Sequence, residues 1–181
     1  MAAVLAAAAA CDAATARAAS GSTRLVSSAE FAYTLSVPSA WVPDDKPVKT
    51  HQHEMLLAAP SSPARAKVGV TIDPVSIGRL EDFGTAEQTA ERVLAVERGR
   101  DGVKTVALRG LAVESGEPSY YVIEWASTTS RGDKVFCCRY AIANRRLYVL
   151  QASAKLEAFE SDAAVREELK AIVDSFKVGV L

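Results

Sequence analysis

A chain of 181 residues is the size of one domain and is long enough to bury a core. With 21 Lys+Arg against 22 Asp+Glu, its formal net charge of -1 lacks the basic surplus that non-specific binding of nucleic acid or anionic lipid requires. Hydrophobic content is 49%, a figure inflated by an Ala-rich N-terminus.

Residues 1–20 read as an export signal and are set apart from the fold. The apolar run Ala2–Ala10 is far shorter than the roughly 20 residues of a membrane-spanning helix. Ala16-Arg17-Ala18 offers small residues at the two positions a signal peptidase reads, so the mature chain is expected to begin near Ala19. No Lys or Arg precedes the apolar run. Ala8-Ala9-Ala10-Cys11 also resembles a lipoprotein box, with Cys11 as the lipidated residue.

Residues 21–181 form one predicted domain without linker or repeat. Phe31–Val37 alternates through Phe31, Tyr33, Leu35 and Val37, the pattern of a half-buried strand. Pro38 ends it, because proline donates no hydrogen bond to a ladder, and Trp41 follows in the turn. Pro43–Pro47 reads as a solvated loop, Glu54–Ala59 as a short strand and Pro60–Ala66 as a loop. Lys67–Asp73 alternates again. A helix opens at Thr85, where Gln88 three residues on completes a capping box and Glu87 suits the positive end of the helix dipole. Arg98–Gly102 stops it.

Four strands in a meander come next, near Lys104–Glu114, Ser119–Ser127, Lys134–Ala143 and Arg146–Ser153. Gly132 and Asn144 sit in their turns as residues suited to positive φ. The last helix is predicted over Ser161–Ser175, with Ser161 as N-cap and Val165, Leu169, Ile172, Val173 and Phe176 as its apolar stripe. Strands dominate the middle while helices are inserted and appended. That order predicts an α+β fold, a central antiparallel sheet flanked by helices.

Chemistry is sparse. His51 and His53, at i and i+2, would share a face of an extended segment and could reach one ion, with Glu54 or Asp44/Asp45 as oxygen donors. Calcium, manganese or zinc would be the candidate ion. A closed site needs about four ligands, and the alternative is a pair of solvated loop histidines. No G-x-S-x-G elbow precedes a serine, and only His51 and His53 could serve as a base, so no catalytic residue is assigned. Gly99-Arg100-Asp101-Gly102 ends a helix instead of opening one, which does not suit a phosphate loop. Arg131-Gly132-Asp133 reads as a hairpin turn. Cys137 and Cys138, adjacent in a strand, point to opposite faces and read as free thiols, one of them in the core. Glu124 is expected to face water or to pair with Arg139 on the next strand. Arg145-Arg146 forms a small basic patch near a hairpin tip.

Several pieces then fall in order: Phe31-x-Tyr33-x-Leu35-x-Val37-Pro38-x-x-Trp41, Val68-x-Val70 with Asp82-Phe83-Gly84, and Tyr120-Tyr121-x-x-Glu124. Asn144-Arg145-Arg146-Leu147-Tyr148-x-Leu150 and Val173-Asp174-Ser175-Phe176-x-Val178 follow. Together, from about Leu25 to Val178, they resemble the PsbP domain family of extrinsic thylakoid lumen proteins.

The resemblance implies an α-β-α sandwich in which Trp41 and Phe159 plug the sheet–helix interface and Ser175–Val178 returns as an edge strand. It further implies a non-enzymatic subunit or assembly factor in the chloroplast thylakoid lumen. Such a protein is peripheral on the membrane and binds membrane-intrinsic photosystem subunits and other lumenal extrinsic proteins. Photosystem II, where the founding member supports water oxidation and retention of calcium and chloride, is the first expectation. A paralogue bound to photosystem I or an NDH-type complex is the alternative. The apolar start of the chain would then be the second half of a bipartite presequence.

Two departures matter. The founding member's long N-terminal extension has no counterpart between Ser20 and Phe31. Lys134-Val135 also stand where the family commonly has a histidine, so the family's metal site does not carry over. An ion-binding protein built on His51 and His53, and a small hydrolase, are the competing functions.

Overall fold

A computed structural model describes residues 21–44, 50–60 and 62–179. The expected export signal, with Cys11, and Asp45 lie outside the described residues.

Seven strands pair antiparallel into the main sheet: β3 (Val42–Pro43), β4 (His53–Ala58), β5 (Lys67–Pro74), β9 (Arg146–Lys155), β8 (Lys134–Ala143), β7 (Tyr120–Thr129) and β6 (Val103–Glu114), in that spatial order. β6 to β9 form the predicted meander, and β5 adds beside β9 with Val70 opposite Leu150. The Ala143–Arg146 turn works because Asn144 and Arg145 both adopt positive φ, 53° and 55°, as a tight two-residue hairpin requires. A smaller sheet holds β2 (Tyr33–Pro38) between β1 (Thr23–Ser28) and β10 (Lys177–Val178). β10 is the expected edge strand after the last helix. Phe31 lies outside β2, before a turn in which Ala32 has φ 48°.

Helices cover the main sheet on both faces. On one face, α3 (Leu156–Ser161), α4 (Ala163–Ser175) and the smaller sheet enclose Leu35, Val37, Trp41, Val68, Val70, Tyr148, Leu150, Phe159, Leu169, Ile172 and Phe176. On the other, α1 (Leu80–Phe83) and α2 (Ala86–Arg98) bring Leu80, Ala86, Ala90 and Leu94 onto Tyr121, Ile123, Trp125, Phe136, Cys138 and Ile142. This is the expected α+β architecture, with Trp41 and Phe159 both buried in the first core.

Three local expectations are corrected. Ser161 ends α3, and Asp162 is the N-cap of α4, its carboxylate accepting from Ala164 N at 2.9 Å. The apolar stripe was visible, but the break between two short helices was not. Both Cys137 and Cys138 are buried, because β8 is central and has helices over each face. Glu124 stands opposite Cys137 in the β7–β8 register, and Arg139 takes a different partner. The capping box at Thr85 forms as read: Thr85 Oγ1 accepts from Gln88 N at 3.3 Å, and Gln88 Oε1 accepts from Thr85 N at 3.0 Å.

Candidate functional site

The two histidines are divided between surface and packing. β4 begins at His53, whose Nε2 lies 2.9 Å from Tyr33 Oη and whose ring centroid is 4.5 Å from that of Phe31. Burial holds the Tyr33 phenol above its ordinary pKa. His53 therefore packs against aromatic neighbours and is no solvated loop residue. His51 precedes the strand, where strand alternation does not apply, and its Nδ1 lies 2.5 Å from Asp73 Oδ2. Glu54 Oε1 accepts from Thr50 N at 2.8 Å, from Thr50 Oγ1 at 3.0 Å and from His51 N at 3.1 Å. Those bonds, the Thr50 amide first, hold the half-buried Glu54 carboxyl below the usual carboxylate range. Asp44 is paired with Lys67 at 2.5 Å. Among the described residues no group of three or more His, Cys, Asp or Glu is placed to hold a metal ion.

A second polar centre joins β6, β7, β8 and the end of α4. Arg139 is 1% exposed, a burial that a guanidinium reaches only with partners. Its Nη2 donates to Glu114 Oε2 at 2.6 Å, its Nη1 reaches Asp174 O at 3.4 Å, and its charge lies 4.1 Å over the Tyr120 ring. The Tyr120 hydroxyl accepts from Val178 N at 2.9 Å, tying β10 to the same cluster. Beside it, Arg109 Nη1 donates to Glu160 at 2.7 Å while its Nε is 3.5 Å from Glu124. The Glu160 bond holds Arg109 above its ordinary pKa.

Cys137 and Cys138 are poor nucleophiles. Burial first, and Glu124 second, push Cys137 up to about 12. Cys138, fully buried, is raised well above the ordinary value for the same first reason. The thiolate is the reactive form, so neither sulfur attacks a substrate near neutral pH.

An open groove of about 1260 Å³ lies at the end of the sheet where the β7–β8 hairpin meets α2 and α3. Arg65, Lys67, Arg100, Arg131, Lys134 and Lys155 line it with Glu97, Asp101, Asp133, Glu157 and Glu160. The Arg131-Gly132-Asp133 tripeptide is the hairpin turn on its rim, where Thr129 Oγ1 donates to Gly132 O at 2.8 Å and Leu156 N donates to Asp133 O at 3.0 Å. Sequence reading missed this groove, since its charges come from four separated segments. The only local signal was the charged hairpin Thr128–Asp133. The exposed large apolar residues Leu25, Val42, Phe83, Val96, Leu108 and Val113 are scattered over five elements. Among the described residues no helix is long and apolar enough to cross a membrane.

Comparison with curated protein sequences finds no match. Among solved structures, the solution structure of cyanobacterial PsbP (CyanoP) from Synechocystis sp. PCC 6803 superposes with a TM-score of 0.73 at 15% identity, covering 88% of this chain and 94% of that one. The Ran-binding protein Mog1p of Saccharomyces cerevisiae superposes at 0.58 with 12% identity, covering 88% and 96%. At these identities the likeness is one of fold. The PsbP family model matches residues 22–178, which takes in every described strand and helix. The chain belongs to the PsbP family.

Proposed function

We propose that this protein is a non-enzymatic extrinsic protein of the thylakoid lumen, acting as a subunit or assembly factor of a photosynthetic complex, with photosystem II as the first candidate. The observation that carries this reading is the family match across residues 22–178, the whole described fold. The buried, protonated Cys137 and Cys138 thiols agree with a binding role. Support of water oxidation and calcium retention belongs to the same proposal, as does a paralogue's attachment to photosystem I or an NDH-type complex. Ran binding is not carried over from Mog1p, whose likeness extends to the fold alone.

Docking through the charged groove is the physical form this role takes. Among the described residues the exposed large apolar side chains are spread over five elements, which favours a polar docking surface. The groove instead presents both signs of charge, which steer and orient a charged partner and are screened over roughly 8–10 Å at ordinary ionic strength. Purification of the protein from gently solubilised native thylakoids tests the reading. Recovery of photosystem subunits at low salt, and their loss after a high-salt wash, is expected. Recovery of no thylakoid complex under either condition would refute it.

A further inference from the structure

The covered face of the sheet below α2 is not closed. A cleft of about 290 Å³ lies between α1, α2 and strands β7, β8 and β9, with Leu80, Phe83, Val93, Trp125, Tyr140 and Leu147 among its lining. From α2 it takes Thr89, Arg92, Val93, Val96 and Glu97, and only the small Thr89 side chain occupies the turn above Val93 on that face. That part of the helix cannot fill the space beside the Trp125 ring, which is stacked on Phe136 at 5.1 Å instead. The wall is mostly apolar, with polar groups from Thr89, Arg92, Glu97, Arg100, Tyr140 and Gln151. Trp125 Nε1 and Thr89 Oγ1 are buried, in residues 3% and 2% exposed, and neither has a hydrogen-bond partner among the described residues. Both residues line the cleft.

Buried polar atoms in native proteins are nearly always satisfied by protein, water or ligand. An indole nitrogen can only donate, so the partner that Trp125 lacks is an acceptor, but the atom has no exposed surface and does not by itself select what enters the cleft. The cleft's charges favour an anion. Arg92 and Arg100 line it against one carboxylate, Glu97, which Arg100 already holds at 2.9 Å. Arg92 lies 5.0 Å over the Phe83 ring and donates one N–H to Phe83 O at 2.7 Å, leaving other donors of its five. The remaining charge is one guanidinium.

We infer that this cleft binds a small, flat, apolar molecule carrying one carboxylate, with the ring system against Trp125, Val93 and Leu147 and the carboxylate within reach of Arg92. The site is independent of the charged groove and of the docking reading. It has the features of a ligand pocket: an apolar wall and a few polar groups that fix orientation. Its small size and open mouth limit affinity, and a ligand of naphthoate size is expected to bind with a dissociation constant of about 0.1–1 mM.

The test uses the full chain, 15N-labelled, titrated with 2-naphthoate and separately with the neutral isostere 2-naphthamide. The chain contains 2 tryptophans, so its two indole N–H signals report the cleft and a remote core site separately. Saturable movement of the Trp125 indole signal by 2-naphthoate, with Trp41 unmoved, is expected, as is binding about 2- to 5-fold weaker for the amide, within the range of a partly exposed charge interaction. Arg92→Gln lies on the exposed side of α2 and should abolish that preference, while Val93→Phe, which fills the cleft, should abolish binding. No saturable shift at Trp125, equal movement of both indoles, or equal affinity for acid and amide in the parent protein would each overturn the inference.

Discussion

The buried guanidinium of Arg139 makes an unequal pair with Glu114, and the inequality predicts which substitution hurts. Arg139 has a side chain 1% exposed, whereas Glu114 is 42% exposed. Removing Glu114's charge strands a cation that water cannot reach. Removing the Arg139 cation leaves a carboxylate that water can solvate. Breaking a buried ion pair by deleting one partner costs about 3–5 kcal/mol when the survivor is left buried and uncompensated. Here the Tyr120 face at 4.1 Å and the Asp174 carbonyl at 3.4 Å compensate in part, so Glu114→Gln should cost about 2–3 kcal/mol. Arg139→Met keeps an apolar stem of similar length within the core and should cost about 1 kcal/mol or less. The double variant should match Arg139→Met, giving a coupling of about 2 kcal/mol in a double-mutant cycle. Urea unfolding of the four proteins reads all these values. If Arg139→Met proves the more damaging single change, the reasoning from unequal burial fails.

Other consequences are as sharp. Trp41→Ala should destabilise by about 3–5 kcal/mol, because the ring is 3% exposed and its indole N–H is held by Glu168, whose carboxyl is raised by burial; a thermal melt within a few degrees of the parent would contradict it. Gly84→Ala should cost about 1–3 kcal/mol by urea unfolding, because Gly84 has φ 136° and an added Cβ would stand 2.8 Å from Gln88 Oε1, the capping-box acceptor. Cys137 and Cys138 should resist a thiol reagent at pH 8 in the native state and react once unfolded. Since folding raises the Cys137 thiol from the ordinary value of roughly 8.5 to about 12, its share of stability is present below the lower value and is lost as pH rises toward the upper one. Rapid native labelling would refute that burial. Zinc or manganese should leave the melting temperature nearly unchanged in both the parent and His51→Ala; a large rise confined to the parent would establish a metal site at His51, Glu54 and Asp73.

The meander was legible because each of its strands carries its own apolar run and each connection its own turn residue, such as Asn144 at positive φ. The capping box at Thr85 was legible for the same reason: its two bonds join residues three apart. What escaped reading depends on distant partners. β1, Thr23–Ser28, is largely exposed and pairs with β2 through its backbone, so its side chains carry no alternation. The Arg139–Glu114 pair joins strands that do not touch in the sheet order, which made Glu124 the obvious but wrong partner. His53 looked like a neighbour of His51, yet Phe31 and Tyr33, some twenty residues earlier in the chain, decide its environment. The burial of both thiols was missed although β8 carries a continuous apolar run, Val135–Cys138 and Tyr140–Ala143; covering on both faces explains that run.

The most direct measurement is rebinding of the purified full chain to salt-stripped native thylakoid membranes and to photosystem II and photosystem I particles isolated from them. Saturable binding to one photosystem is predicted, weakened both by raised ionic strength and by charge reversal at Lys134 and Lys155 in the groove, with the melting temperature unchanged. Failure to bind any photosynthetic complex, or binding indifferent to salt and to those reversals, would contradict a lumenal docking protein that works through its charged groove.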